Sequence, residues 1–183
     1  MFHDAAIAWR RVAIGLGSSL GDRRGRLELT VRQLHQLPGL EVLRVSRWRR
    51  SPPLRGSVAR GWFLNGVVLV GSQLPMPELM RRCQSLERRA GRRSVHWGDR
   101  PLDLDLLLAE GECWDTPPLT LPHPAIAQRD FVLLPLLEVW PEAVDPRSGQ
   151  GWARAPRPRG PLSFPTGVMG RLSAAPTHSL RST

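Results

Sequence analysis

The sequence predicts an α+β fold of the ferredoxin-like class: an antiparallel sheet built in the order β-α-β-β-α-β, covered by two helices and extended by a short C-terminal helical addition. Three observations carry this. Four short runs have strand character, two stretches with apolar residues at helical spacing separate the first run from the second and the third from the fourth, and 183 residues suit one domain with a substantial core.

Each element has its own local signal. Residues 9–16 contain VAIGL, an apolar strand running into a Gly/Ser turn. Asp22 can then cap a helix whose buried face is Leu27, Val31, Leu34 and Leu37, and Pro38 with Gly39 ends it. Residues 40–49 alternate as a strand, residues 51–61 are rich in turn formers, and residues 62–70 form a second strand of the central pair. Prolines open the helix at 75–89, where Leu79, Cys83, Leu86 and Ala90 share a face. A polar loop at 91–100 leads into the strand DLDLLLA at 103–109, and residues 124–128 and 131–139 read as short helical pieces. Acidic residues stop at Asp145; beyond residue 150 the chain is rich in Pro, Gly, Ser and Arg with no apolar period. The domain is therefore expected to span 1–150, with a disordered tail at 151–183.

Composition narrows the function. The net charge of +10 suggests a nucleic-acid partner, but all 26 basic residues are Arg, and five of them lie beyond residue 150 where there is no acid. The folded part is only mildly basic, and its strands lack the aromatic pattern on which a ferredoxin-like RNA module stacks bases. A Rossmann entry is excluded by the spacing of Gly15, Gly17 and Gly21, which does not fit G-x-G-x-x-G. No apolar run reaches membrane-spanning length, and the N-terminus lacks a signal-peptide core, so a cytoplasmic chain without a membrane partner is expected. Cys83 and Cys113 lie in no metal-like spacing and read as free thiols.

The chemistry concentrates in HWGDRPLDLD. Side chains alternate across a strand, so Asp103 and Asp105 project to one face while Leu102, Leu104 and Leu106 anchor the other. Two hard carboxylates side by side suit Mg²⁺, which takes one or two protein carboxylates plus phosphates and water; two solvated acids on a half-exposed strand fit the same spacing. Arg92, Arg93 and Arg100 stand just upstream, and arginine forks pair with phosphate oxygens. Carboxylates, Mg²⁺ and arginines together are what phosphoryl transfer uses for charge neutralisation.

Several segments in fixed order extend that signal. AIGLGSSLGD, SPPL, FLNGVV, WGDRPLDLDLLL, LPHP and QRDFVLLPLLE, spread over residues 10–145, together resemble the 6-hydroxymethyl-7,8-dihydropterin pyrophosphokinase family of folate biosynthesis. The resemblance implies transfer of the diphosphate of ATP to the pterin's hydroxymethyl oxygen, with release of AMP, by a monomer whose partners are these small molecules.

It also implies roles. Asp103 and Asp105 match the pair that holds two Mg²⁺ ions, and Arg92 and Arg100 match phosphate-binding arginines counted with them as catalytic. Gln84, Glu87, Leu106, Thr120, His123 and Arg129 match positions on the ATP side; read alone, His123 is equally a loop histidine. Asn65, the chain's only asparagine, matches the residue that hydrogen-bonds the pterin edge, and its amide offers both donor and acceptor. Phe63 and Phe131 match aromatics around the flat heterocycle, and Ser51, Pro52, Pro53 and Leu54 match a wall segment beside it. Trp97 matches a residue of the loop that closes over both substrates. Ser19 stands where the family has asparagine, with less side-chain hydrogen-bonding capacity. The stretch from Gly91 to Trp97 is shorter than usual, and Asp99, His96 and Pro118 also depart from the family pattern.

Overall fold

The computed structural model describes residues 8–53, 59, 61–91 and 99–156, together with the backbone of Phe164 and Pro165. Leu54, Arg92 and Trp97, all expected at the site, lie outside the described residues.

The core order is the expected one. Strand β1 (Arg10–Ser18) leads to helix α1 (Arg23–His35), then β2 (Leu40–Val45), β3 (Arg49–Ser51), β4 (Phe63–Ser72), helix α2 (Met76–Arg89) and β5 (Asp103–Ala109). A two-stranded ribbon follows, β6 (Trp114–Thr116) and β7 (Leu119–Leu121), then helices α3 (Ala125–Gln128) and α4 (Asp130–Val139) and a last short strand β8 (Phe164–Pro165). The main sheet runs β5-β1-β4-β3-β8, with β2 also paired to β4, and its pairings are antiparallel. With β2 and β3 taken as one interrupted strand, this is the ferredoxin-like arrangement.

Local chemistry explains the elements. The Asp22 carboxylate accepts the Gly25 N–H at 2.9 Å and caps α1. Helix α2 opens with Pro77 in its first turn and buries Leu79, Cys83 and Leu86, as its spacing predicts. Both sheet faces are covered. Val12, Ile14, Leu16, Leu104 and Leu106 pack with α1 and α2 residues on one side, whereas Ala13, Val67, Leu69, Leu107 and Leu108 pack with α4 residues on the other.

Two differences from expectation have physical causes. The strand expected at 40–49 breaks after Val45, because the Ser46 hydroxyl accepts the Val67 N–H at 2.9 Å and Trp48 folds into the core over Gly66, where a Cβ would come within 2.5 Å of its ring. The packed chain also runs past residue 150. Trp152 main-chain N–H donates to Ala143 O at 2.8 Å, and Trp152 packs against the α4 cluster, so ordered contacts with the domain continue past residue 150. Further on, the backbone of Phe164 and Pro165 pairs with β3. Among the described residues, no helix is long and apolar enough to cross a membrane.

Candidate active site

The α4 face of the sheet is not filled along its whole length. Register sets Gly17 of β1 opposite Asn65 of β4 on one side and Asp103 of β5 on the other; one row along, Gly15 lies between Val67 and Asp105. Two glycines at the centre leave a bare backbone floor between polar walls. A Cβ on Gly17 would come 3.1 Å from Asn65 Oδ1 and 3.8 Å from Asp103 Cβ. With strands about 4.8 Å apart, Asn65 and Asp103 stand about 10 Å from one another across this floor.

The result is a cleft of about 390 Å³. Ser51 and Asn65 line it from β3 and β4, Asp103 and Asp105 line it from β5 on the other side of β1, and Pro52, Phe63, Arg100, Leu107, His123, Arg129 and Phe131 complete the lining. A second chamber of about 210 Å³ lies against α2 and the ribbon, lined by Gln84, Glu87, Leu106, Thr120 and their neighbours. Asp105 and His123 line both chambers. Every expected site residue among those described thus lines one chamber or the other except Pro53, which follows Pro52 outside the lining.

Polar contacts hold the walls. Asn65 Nδ2 donates to Ser51 Oγ at 2.8 Å, so the amide is oriented from the wall segment. Arg100 Nη1 lies 2.6 Å from Asp103 Oδ1. The backbone N–H of Leu104 donates to Glu87 Oε1 at 2.8 Å, which ties the free edge of β5 to α2 and uses a buried carboxylate otherwise facing the smaller chamber. His123 is held at both ends: its N–H donates to Leu107 O at 2.7 Å, and its Nδ1 accepts the Ala125 N–H at 3.0 Å. That bond assigns the ring proton to Nε2.

The charges respond to this crowding. The Asp105 residue is open to solvent from the cleft, yet desolvation by the surrounding walls, then the Asp103 and Glu87 charges, push its carboxyl up to about 7 against the pull of Arg100 and Arg129. His123 is shifted down by burial and by Arg129, against Asp103, so it is a neutral Nε2–H donor. Burial, then Glu87 and Asp105, push the Cys83 thiol up to about 12, which leaves it un-ionised.

Sequence reasoning missed Gly15, Gly17 and Leu107 as lining. A glycine inside a strand is itself a signal of close backbone approach, and two at alternate positions mark one face. Leu107 continues the alternation of Asp103 and Asp105 onto the cleft face, and the bulge beside it, where β1 advances from Ala13 to Ile14 while β5 passes from Leu108 to Leu106, brings Leu108 to the same side of the sheet.

A paired-carboxylate strand, an arginine beside it and two chambers that share Asp105 and His123 have the makings of a phosphoryl-type transfer site between two bound molecules. Comparison with known proteins narrows the class. Residues 13–141 match the family described as 7,8-dihydro-6-hydroxymethylpterin-pyrophosphokinase. The 2-amino-4-hydroxy-6-hydroxymethyldihydropteridine pyrophosphokinase of Methylorubrum extorquens is 38% identical over 135 residues, 73% of this chain and 85% of that protein. The proteins of the same name from Synechocystis and Bacillus subtilis are 38% and 40% identical over 142 and 127 residues, covering 75% and 69% of this chain and 70% and 75% of theirs. Among solved structures, a Plasmodium falciparum HPPK-DHPS with pteroate superposes with a TM-score of 0.57 at 13% identity, over 80% of this chain and 41% of that one. That likeness concerns the fold alone, and this chain spans about two fifths of the longer protein. The chain belongs to the 7,8-dihydro-6-hydroxymethylpterin-pyrophosphokinase family.

Proposed function

We infer that the protein transfers the diphosphate of ATP to the hydroxymethyl oxygen of 6-hydroxymethyl-7,8-dihydropterin in folate biosynthesis. The pterin oxygen bonds to the β-phosphorus, the bond from that phosphorus to the bridging oxygen of the α-phosphate breaks, and AMP leaves. The observation that carries the reading is the pair of chambers meeting at Asp105 and His123.

The larger chamber suits the pterin. Asn65, oriented by Ser51, offers an amide edge to a heterocycle lying over the Gly15 and Gly17 floor, with Phe63 and Phe131 as aromatic partners. Such ring contacts contribute on the order of 1 kcal/mol each beyond burial. The smaller chamber, with Gln84, Glu87, Leu106 and Thr120, suits the nucleotide. His123 Nε2–H and the guanidinium groups of Arg100 and Arg129 then face the phosphate path between them. Arg92 and Trp97 complete this side in the reading that the resemblance supports.

The donor set at Asp103 and Asp105 fits Mg²⁺: two carboxylates on adjacent positions of one strand face, both lining the larger chamber, offer the hard oxygen ligands that the ion takes. Mg²⁺, two ions on the family pattern, supplies charge neutralisation at the phosphates when bound. The protein's own share is placement, bringing two substrates together and excluding water from the transfer. Residues of one chain suffice to line both chambers, and in this reading the protein acts as a monomer with ATP and the pterin as its partners.

The test is AMP formation from ATP by purified protein, with and without the pterin and Mg²⁺. The expected result is release that needs both, and a loss of at least about 10²-fold in Asp103→Ala and in Asp105→Ala. A folded protein that binds the pterin yet forms no AMP under any of these conditions would overturn the catalytic reading in favour of a binding-only relative.

A further inference from the structure

The turn after β1 is joined to the segment that carries Arg100 by a set of bonds that the reaction chemistry above does not use. Ser19 is 1% exposed. Its N–H donates to Arg100 O at 2.9 Å, and its Oγ accepts the Arg100 N–H at 2.8 Å. One residue therefore grips both polar groups of Arg100's main chain. Next to it, the buried Ser18 donates from Oγ to Pro101 O at 2.7 Å. Arg100 lies outside any strand, three residues before the acidic pair begins, and its Nη1 meets Asp103 Oδ1 at 2.6 Å.

We propose that Ser19 is a positioning residue for the transfer: its hydroxyl fixes the Arg100 main chain so that the guanidinium is delivered beside Asp103, in the wall of the larger chamber. An arginine has four side-chain torsions, and its head can be no better placed than its Cα. Ser18 ends the central strand β1 and Ser19 follows it directly, so the grip transmits the sheet's rigidity to a group outside it. A displacement of about 1 Å in a transfer site costs on the order of 10²-fold in rate. Ser19 in place of the family's asparagine loses no hydrogen bonding here, because the hydroxyl meets the one main-chain donor that needs an acceptor.

The inference rests on the reading of Arg100 as a phosphate-facing group, and the experiment separates the two. Steady-state rates are measured for Ser19→Ala, Ser19→Thr, Arg100→Ala and the double variant Ser19→Ala/Arg100→Ala, together with pterin affinity by titration and hydrogen exchange of the Arg100 amide. Ser19→Ala is expected to lower kcat about 10-fold with pterin affinity unchanged within twofold and Arg100 amide exchange accelerated at least about 10-fold. Ser19→Thr, which keeps the hydroxyl, restores the rate. In the Arg100→Ala background the Ser19 substitution has no further effect, since a positioning residue cannot act through a side chain that is gone. Multiplicative losses in the double variant, or an unchanged kcat in Ser19→Ala while Arg100→Ala is impaired, would overturn the proposal and leave the role of Arg100 standing. An unaffected Arg100→Ala would instead remove the reading beneath it. Should Ser19→Ala fail to fold, Ser19→Thr and the amide exchange of the parent protein still decide: fast exchange at Arg100 in the parent overturns the grip.

Discussion

At Gly17 a single missing side chain decides what the cleft can hold. Its place between Asn65 and Asp103 is set by register, and a methyl there would meet Asn65 Oδ1 at 3.1 Å without meeting main chain. Gly17→Ala is therefore expected to raise the KM for the pterin at least about 10-fold while lowering the melting temperature by no more than about 2 °C; steady-state kinetics beside a thermal melt reads both. Asp105 offers a test of opposite sign. In the unfolded chain its carboxyl ionises near the ordinary 3.8, whereas in the folded, metal-free protein it holds its proton to about 7. Between these values the folded state binds more protons, so stability falls as pH rises, and the loss is complete above about 7. Asp105→Asn should make the metal-free protein more stable at pH 8, by only about 1 kcal/mol because solvent in the open cleft screens the repulsion, and the gain should fade toward pH 4. Melting curves across that range check it; a gain that grows toward acid would contradict the crowding of Asp105 by Asp103 and Glu87. The acidic pair was legible from its i, i+2 spacing alone, since alternation forces both onto one face. The lock between Asn65 and Ser51 was not, because it joins residues whose proximity comes from the pairing of β3 with β4.

Elements show the same division between local and distant causes. Helix α1, helix α2 and β5 fall where period and caps put them, because each is specified by residues within itself: Asp22 at one cap, prolines at another, a leucine face under DLDLLLA. The strand expected at 40–49 breaks for a reason outside it. Trp48 finds its space over Gly66 of β4, a residue 18 positions away, and the Ser46 hydroxyl takes a main-chain donor from the same strand. Gly66→Ala is accordingly predicted to destabilise the protein by about 2 kcal/mol, a drop of roughly 6 °C in melting temperature, because the new methyl would lie 2.5 Å from a ring that is 1% exposed. Replacing Trp48 with Leu in the same chain should recover part of the loss. The Glu87 bond to Leu104 likewise could not be read from the helix alone: spacing puts Gln84 and Glu87 on one face, but only the docked edge of β5 shows that the Glu87 carboxylate is already engaged.

For the whole molecule, the C-terminal additions turn a two-layer fold into three layers and make the site. Helix α4 buries Leu133, Leu136 and Val139 against the sheet face opposite α1 and α2, and the uncovered end of that face is the larger chamber, the one proposed for the pterin. Glu138 of α4 accepts from the Arg47 N–H and from the Arg47 and Arg49 side chains, pinning the helix to the break between β2 and β3. Composition pointed to an end at residue 150 because no apolar period continues beyond it. A lone tryptophan has no period, yet Trp152 docks on the α4 cluster and its N–H closes back on Ala143. Two shortened chains separate these alternatives, one ending at Gln150 and one at Pro156. If the packed domain includes the 152 segment, the shorter chain loses a partly buried indole and a main-chain hydrogen bond, about 1–2 kcal/mol, and melts about 2–6 °C below the longer one. Because α4 carries Phe131 and Val132 into the pterin chamber, the same loss should loosen pterin binding before it affects nucleotide binding at the α2 side. Equal melting temperatures for the two chains would place the domain's end at 150 after all, whereas a gap with unequal pterin affinity makes the third layer part of the site's foundation.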